Sequence, residues 1–372
     1  MGTIAADVGR VLWLGFDGIA ITDDVRAAIA DGALGAALLF QRNLATTVVR
    51  GPVPQAVVEL DALVALTGAL HAAASDDAPI LVGLDQEGGA VQRLRAPATQ
   101  WPPMLAFEGR ADDVELAAAI GVALGRELAA LGIDVDFAPV LDIHTNPANP
   151  IIGDRAFGTT AATVTRRALA LAAGLARAGV LACGKHFPGH GDTTVDSHRA
   201  LPRIDHGWDR LEAVELAPFR AAAAAGLPLI MTAHVIFAAI DASGPATLSA
   251  KVVTGVLRER LGYRGLILSD DLVMRAIVDN YGVGAAAVRA VRAGCDGVLV
   301  TRDPAHQHAA RAALQRAAER DLDFRTLLAV AAARGRALAI AQAQARAASP
   351  APPLTVVGAL AHRRLADRLA GR

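Results

Sequence analysis

One arrangement of hydrophobic and polar positions recurs along most of the chain. An alanine-rich stretch with helical spacing ends at a glycine, a short apolar run follows, and polar residues end the run. Between positions 116 and 131 an apolar residue recurs every three or four positions. Gly132 then ends the predicted helix, because glycine adopts the left-handed conformation without steric cost. The apolar run Ile133–Phe137 follows as a predicted strand and leads towards Asp142.

Eight apolar runs have the length of strands, and helical stretches separate most of them. The runs are Val11–Gly15, Gly35–Phe40, Ile80–Leu84, Ile133–Phe137, Val180–Cys183, Leu227–Met231, Gly265–Leu268 and Gly297–Val300. Alternating strands and helices predict parallel strands joined by right-handed crossovers. Eight such units predict an α/β fold of the (β/α)8, TIM-type barrel class, with a doubly wound open sheet as the alternative. Reactive polar residues follow the strands at their C-terminal ends, where barrel active sites form, and this favours the barrel.

The barrel is expected to occupy residues 1–345 as a single domain. From about Pro304 the chain is rich in alanine and arginine, which predicts helices that close the barrel. The proline-rich run 349–353 then interrupts the helical pattern. Residues 346–372 are therefore predicted to form a short linker and a C-terminal helix packed on the barrel. We expect no second globular domain.

Composition and charge narrow the class of protein further. The chain has 372 residues, 53% of them hydrophobic, a formal net charge of −1 and a mean hydropathy of +0.37. No uninterrupted apolar stretch reaches the roughly 18 residues of a membrane span, and the start has no basic-then-apolar signal pattern. The charge gives no reason to expect nucleic-acid binding. Cys183 and Cys295 lie in apolar segments, so we expect a reduced, cytoplasmic protein without disulfides. We also expect a monomer without membrane partners.

The segment from Lys185 to His198 is the densest in reactive groups. It holds one of only two lysines in the chain, together with three histidines and two aspartates. Lys185 and His186 are expected to end the preceding strand, and Pro188, Gly189 and Gly191 predict a loop beyond them. Asp196 and His198 are two residues apart, so both side chains would lie on one side of an extended stretch, where the carboxylate could fix the imidazole tautomer. A histidine held in this way can donate and recover a proton, whereas an isolated loop histidine would only be solvated.

Three further groups of polar residues follow predicted strands. Asp270 and Asp271 come after Leu268, and the sequence leaves open whether each caps the next helix or takes part in chemistry. The run from Asp85 through two glycines to Arg93 suits a polar clamp on a ligand, with a salt-bridged turn as the alternative. Arg155 closes a rigid, turn-rich loop that begins at position 146.

A metal site was weighed for the 185–198 segment because its imidazoles and carboxylates are potential ligands. The segment contains neither a His-x-His nor a His-Glu-x-x-His pattern, and the other three groups have no metal role. We therefore expect neither a metal nor another cofactor.

Taken together, these segments resemble glycoside hydrolase family 3, and more narrowly its single-domain β-N-acetylglucosaminidases of the NagZ type. The resemblance extends from about Leu12 to Thr301. It rests on residues 185–191 with Asp196-Ser197-His198 and Leu201-Pro202, on Asp85-Gln86-Glu87-Gly88-Gly89 and on Ser269-Asp270-Asp271-Leu272. The runs Phe40–Asn43 and Met231–His234 agree as well.

The resemblance implies a retaining, exo-acting hydrolase that removes a terminal N-acetylglucosamine from a small carbohydrate. Muropeptides of peptidoglycan recycling are the implied substrates. It implies that Asp270 is the nucleophile and that His198, paired with Asp196, is the acid/base. It also implies a set of sugar-binding residues, which are Asp85, Arg93, Arg155, Lys185 and His186. A family 3 β-glucosidase, an N-acetylglucosamine phosphorylase and a non-enzymatic sugar-binding barrel are the alternatives.

Overall fold

The structure is a computed structural model that describes residues 2–49, 55–195 and 201–372. Its main sheet is a closed barrel of eight parallel strands, each hydrogen-bonded to its two neighbours. The strands are β1 (Leu12–Gly15), β2 (Ala36–Leu38), β3 (Leu81–Leu84), β4 (Val135–Asp136), β5 (Leu181–Phe187), β6 (Leu229–Thr232), β7 (Leu266–Asp271) and β8 (Gly297–Val300). All eight predicted strands are present in the predicted order, and β1 closes the barrel by pairing with β8. The prediction of a (β/α)8 barrel is confirmed.

Helices surround the barrel, and most follow a strand as the alternating pattern predicts. They are α1 (Ile4–Val11), α2 (Asp23–Ala30), α3 (Leu60–Ala73), α4 (Asp113–Ala130), α5 (Ala161–Arg177), α6 (Trp208–Ala213), α7 (Ala217–Ala224), α8 (Arg275–Tyr281), α9 (Val283–Ala293), α10 (Pro304–Arg320), α11 (Leu322–Ala348) and α12 (Leu360–Leu369). A further helical segment, Lys251–Arg260, lies between β6 and β7. Gly132 and Gly179 follow α4 and α5 with φ of +72° and +81°, the left-handed conformation expected of helix-ending glycines.

Three short antiparallel or parallel pairs lie outside the barrel sheet. They join Thr46–Val49 to Gln55–Val58, Gln86–Gly88 to Val91–Gln92, and Arg203–Ile204 to Ile236–Phe237. Among the described residues, none of the helices combines the length and the apolar character needed to cross a membrane.

The interior of the barrel is filled by every second residue of its strands. The cluster contains Trp13, Ala36, Leu38, Leu81, Val135, Phe137, Cys183, Leu229, Met231, Leu266, Leu268 and Leu299, all buried. Continuing this alternation towards the C-terminal ends of the strands places Asp85, Lys185, Asp270 and Thr301 at the mouth of the barrel, where they line the pocket. The same periodicity that builds the core therefore also delivers the polar side chains of the pocket.

Helix α11 closes the opposite, N-terminal mouth. Its Ala339 belongs to the interior cluster, and Leu338 packs against it. Arg334 pairs with the buried Asp296 at 3.0 Å, and Arg346 pairs with the buried Asp134. Because the barrel interior is filled by side chains and α11 covers its N-terminal end, the pocket at the C-terminal mouth has a closed floor.

The C-terminal segment is held on the barrel by one buried carboxylate. Glu127, on α4, accepts hydrogen bonds from the Gly358 N–H at 3.1 Å and from the Thr99 hydroxyl. The His362 Nδ1 atom, on α12, lies 2.8 Å from the same carboxylate. Helix α12 thus packs beside α4, and the proline-rich run leads directly to this contact.

The strand that carries Lys185 is longer than the apolar run Val180–Cys183 that predicted it. β5 continues to Phe187, so Lys185 and His186 lie at the end of the strand, as expected, and the loop begins beyond them. Phe187 pairs with Thr232 of β6, and the Lys185 carbonyl accepts the Leu141 N–H at 2.6 Å. Pairing with β6 on one side and with residues after β4 on the other thus extends β5 to Phe187. The next residue, Pro188, has no N–H group to donate, so the strand pairing ends there.

Candidate active site

A cavity of about 460 Å³ opens at the C-terminal mouth of the barrel. Six of the eight residues predicted from the sequence line it, namely Asp85, Arg93, Arg155, Lys185, His186 and Asp270. Apolar side chains from the barrel interior, including Leu38, Phe137 and Met231, form part of its wall. The six predicted residues, which are up to 185 positions apart in the chain, therefore surround one concave site.

Lys185 lies at the centre of the charged wall. Its ammonium group is 2.7 Å from Asp85 and 2.6 Å from Glu87, and the lysine side chain is only 3% exposed. Burial lowers the pKa of Lys185, but the two carboxylates outweigh burial and raise this pKa above its usual range. Lysine suits this position because its compact ammonium group can contact both carboxylates at once.

Two arginines complete the charge network on either side of Lys185. Arg93 donates to Asp85 at 2.7 Å, and Arg155 binds both carboxylate oxygens of Glu87 at 2.8 Å. Burial raises the pKa of Asp85, but Lys185 and Arg93 hold it well below its usual range. The pKa of Glu87 is lowered in the same way, because Arg155 and Lys185 outweigh burial.

The salt bridge considered for the Asp85–Arg93 turn is present, and the ligand clamp stays a prediction. The salt bridge is made, and its two partners face the pocket. The Arg93 guanidinium also lies over the ring of Phe40, 5.3 Å from its centroid, and Arg42 lies over the same ring at 4.5 Å. Phe40 is thereby held as one apolar face of the pocket.

His186 is oriented by Asp142, which follows β4. The His186 Nδ1 atom lies 2.7 Å from Asp142, whose carboxylate also accepts the backbone N–H groups of His186 and His190. Because a carboxylate only accepts, Nδ1 carries a hydrogen and the opposite ring edge is available to the pocket. Burial and the neighbouring His186 lower the pKa of His190 to about 4, so His190 is a neutral part of the scaffold at neutral pH.

The two aspartates after β7 have different surroundings. Asp271 accepts hydrogen bonds from the Val273 N–H at 3.2 Å, from the Thr301 N–H at 3.3 Å and from the Thr301 hydroxyl. Its own N–H donates to Asp270 at 2.7 Å. Burial raises the pKa of Asp271 to about 6, and the adjacent Asp270 adds to that rise. Asp271 therefore ties the loop after β7 to Thr301, and both aspartates line the pocket.

Asp196 and His198 lie outside the described residues, so their positions are not part of the site geometry. The stretch before them is firmly attached to the loop after β4. The Asn149 side-chain amide donates to the His190 carbonyl at 2.8 Å, and Thr145 donates to Asp192 at 3.0 Å. Asp192 also pairs with His206.

Several contacting residues were not selected from the sequence. Glu87 lies within the Asp85–Gly89 motif, which gave it no role, although it binds both Arg155 and Lys185. Asp142 lies six residues beyond the end of β4, so only its place in the segment after that strand was a signal. His234 contacts the Asp271 carbonyl oxygen, and nothing in the sequence beyond the Met231–His234 run indicates this contact. Within the described part of the chain, no cluster of three or more histidine, cysteine or acidic residues could hold a metal ion.

Comparisons with known proteins agree with this geometry. The family described as the glycosyl hydrolase family 3 N terminal domain matches residues 7–323. A beta-hexosaminidase of Nitrosomonas eutropha is 40% identical over 299 residues, which are 79% of this chain and 81% of that protein.

Solved structures extend the likeness to the whole fold. A glycoside hydrolase family 3 beta-N-acetylglucosaminidase from Paenibacillus sp. has a TM-score of 0.86 and 39% identity, with 100% of this chain and 68% of that chain covered. NagZ from Neisseria gonorrhoeae, solved with N-trifluoroacetyl-D-glucosamine, has a TM-score of 0.76 and 30% identity, with 98% and 97% covered. The chain therefore belongs to glycosyl hydrolase family 3, as a glycoside hydrolase of the beta-hexosaminidase type.

Proposed function

We propose that the protein is a retaining, exo-acting β-N-acetylglucosaminidase that uses Asp270 as its nucleophile. The observation that carries the proposal is the position of Asp270 in the same pocket as Asp85, Arg93 and Lys185. A reactive carboxylate thus faces a wall of fixed hydrogen-bonding groups. Beta-hexosaminidases and β-N-acetylglucosaminidases among the relatives support the choice of sugar.

Substrate binding follows from the charged wall. The carboxylate of Asp85 can accept hydroxyl hydrogens, whereas Lys185, Arg93 and Arg155 can donate to hydroxyl or carbonyl oxygens. Because each of these groups is already held by an oppositely charged partner, the wall is arranged before the sugar arrives. The floor beneath the pocket is closed, so a glycan chain cannot pass through it. A pocket of this shape suits the end of a glycan, which supports exo action.

The reaction proceeds in two balanced steps. First, an Asp270 oxygen bonds to the anomeric carbon while the bond from that carbon to the aglycone oxygen breaks. The proton of the His198 imidazolium passes to that oxygen, so the aglycone leaves as an alcohol. Second, neutral His198 takes a proton from water, the water oxygen bonds to the anomeric carbon, and the bond to Asp270 breaks. Two inversions give net retention.

A histidine acid/base has an electrostatic advantage here. A carboxylic acid would become an anion after giving up its proton, close to Asp271 and to any anionic incoming group. Histidine instead changes from a cation to a neutral ring, which avoids that repulsion. Asp196 is proposed to hold His198 in the required tautomer.

The same argument bears on the natural substrate. A neutral histidine tolerates an aglycone that carries a carboxylate, and muramic acid derivatives are of this kind. We therefore propose that cytoplasmic muropeptides with a terminal N-acetylglucosamine are the natural substrates, in peptidoglycan recycling. A neutral histidine also tolerates phosphate as the acceptor, so hydrolysis must be tested against phosphorolysis.

The test is a turnover panel of aryl β-glycosides, measured with and without inorganic phosphate. The proposal predicts fast turnover of the N-acetylglucosaminide, slow turnover of the glucoside, and free N-acetylglucosamine as the product in both buffers. A preference for the glucoside would identify a β-glucosidase. Faster turnover with phosphate, giving a sugar 1-phosphate, would identify a phosphorylase. If the protein turns over none of the aryl glycosides but binds N-acetylglucosamine, it is a sugar-binding protein and not an enzyme.

A further inference from the structure

We propose that His234 is a positioning residue for Asp270, and that it acts through the backbone of Asp271. His234 belongs to the Met231–His234 run after β6, to which the proposed mechanism gives no role. The inference rests on the proposed nucleophile, because it concerns how that carboxylate is aimed. Its test is separable from a test of the nucleophile itself.

The first step is the contact between His234 and Asp271. The His234 Nε2 atom lies 3.0 Å from the Asp271 carbonyl oxygen, and His234 is fully buried. A carbonyl oxygen only accepts, so Nε2 must carry the hydrogen of this bond. The Met274 N–H donates to the same oxygen at 3.1 Å, which occupies its second acceptor direction.

The second step is the support on the other side of the ring. The His234 Nδ1 atom lies 2.9 Å from the Thr247 hydroxyl, which is 2.8 Å from the Thr232 hydroxyl. The Thr247 hydroxyl also lies 3.0 Å from the Ala233 carbonyl oxygen. All of these groups are buried. A connected polar network of this kind fixes its members, because breaking a contact leaves buried polar atoms less completely hydrogen-bonded.

The third step is an irregularity in the barrel at the nucleophile. Leu268 pairs with Gly297 and Asp271 pairs with Leu299, so β7 uses three steps where β8 uses two. One extra residue in a strand is a β-bulge, which re-aims side chains and interrupts the regular ladder. Asp270 lies inside this bulge, where backbone pairing alone does not fix it.

Side chains replace the missing ladder contacts around the bulge. The Ser269 hydroxyl accepts the Leu299 N–H at 3.0 Å, and Thr301 binds the Asp271 carboxylate. His234 binds the Asp271 carbonyl, and the Asp271 N–H orients Asp270 at 2.7 Å. His234 thus holds the residue whose backbone N–H contacts the carboxylate of the nucleophile.

The experiment measures covalent inactivation by a 5-fluoro-N-acetylglucosaminyl fluoride, which reports attack by the nucleophile separately from binding. His234→Phe keeps the bulk of the ring but removes both nitrogen contacts. We expect the maximal inactivation rate to fall about 10- to 100-fold, as for a nucleophile displaced by a fraction of an ångström. The inhibitor concentration for half-maximal rate should stay within about twofold. His234→Gln, which keeps a donor of similar reach, should restore most of the rate.

The matched control is His362→Phe, since His362 is also a buried histidine bound to an acceptor but lies on α12. It should lower Tm without lowering the inactivation rate. An unchanged rate in His234→Phe would overturn the proposal. So would parallel losses of rate, binding and Tm that His234→Gln does not rescue. If His234→Phe does not fold, the maximal inactivation rate and the inhibitor concentration for half-maximal rate are compared for Thr247→Val and His234→Gln instead. Labelling of Asp270→Asn would instead refute the nucleophile assignment.

Discussion

Lys185 lies 2.6 Å from Glu87, and each of the two side chains is only 3% exposed. Glu87 also binds Arg155, so one buried carboxylate contacts two of the cations that line the pocket. Burying charges without partners costs far more than any surface ion pair contributes. The charged wall is therefore stable only as a unit, and its arrangement does not depend on the presence of the sugar.

Replacing Glu87 with glutamine should destabilise the protein and weaken sugar binding. The change leaves Lys185 and Arg155 short of one negative charge, and we expect a loss of about 3 kcal/mol in the free energy of unfolding. Denaturant unfolding and KM for an aryl N-acetylglucosaminide measure the two effects. Glu212→Gln is the control, because Glu212 binds Arg220 and Arg260 at the surface and should change stability by less than about 0.5 kcal/mol. Equal effects of both changes would argue against a unit built on Glu87.

Replacing His198 with alanine should affect substrates according to their leaving groups. Poor leaving groups need a proton from the acid, whereas activated aryl groups depart without one. We expect kcat/KM to fall by about 100-fold or more for alkyl aglycones and much less for nitrophenyl aglycones. His308→Ala, at an exposed histidine, should change neither. An equal loss for both substrate classes would contradict the acid role.

Asp136 should make the stability of the protein depend on pH. Burial raises the pKa of Asp136 well above its usual range, with the charges of Asp85 and Glu87 adding to the rise. One of its oxygens accepts the Gln86 N–H at 2.9 Å, and the other has no hydrogen-bond partner among the described residues. The folded protein thus retains a proton that the unfolded chain releases above about pH 4.

The stabilising effect of protonated Asp136 is full below the ordinary aspartate pKa and is lost as the pH rises towards the raised value. Asparagine cannot ionise, so Asp136→Asn should gain stability relative to the native protein between about pH 4 and pH 8. Denaturant unfolding across that range measures the difference. Asp142→Asn should instead be less stable than the native protein by a nearly constant amount across that range, since His186 outweighs burial and lowers the pKa of Asp142, so its titration lies below about pH 4. A constant difference for Asp136→Asn would show that Asp136 is ionised throughout.

Gly358 should be intolerant of any side chain. It has a φ of +67°, and a Cβ atom there would overlap the Pro97 carbonyl oxygen. Gly358→Ala should cost about 2 kcal/mol or more in the free energy of unfolding, because both the conformation and the close contact are lost. Kinetic constants should stay near their native values, since the contact is remote from the pocket. Gly207→Ala is the control, because nothing lies within 4 Å of its added Cβ.

Much of the fold followed from two periodicities in the sequence. The helical spacing ended by glycines such as Gly132 located the crossovers, and the short apolar runs located the strands. Because strand residues alternate between two faces, the polar residues after each run, such as Asp85 and Asp270, had to meet at one mouth. Six predicted site residues line the same pocket for this reason.

What the sequence did not predict depends on contacts between distant segments. The apolar run of the fifth strand ends at Cys183, but pairing with β6 extends β5 through Phe187. The roles of Glu87 and His234 depend on partners far away in the chain, which no local pattern specifies. The bulge that carries Asp270 is likewise a property of two paired strands, and one strand alone does not reveal it.

The most direct test of the account is the identity of the residue that becomes glycosylated. The protein would be incubated with the 5-fluoro-N-acetylglucosaminyl fluoride, digested and mapped by mass spectrometry. The account predicts one sugar adduct per chain, located on Asp270 and absent from Asp270→Asn. An adduct on Asp271 or another residue, or turnover with no covalent intermediate and with inversion at the anomeric carbon, would contradict it.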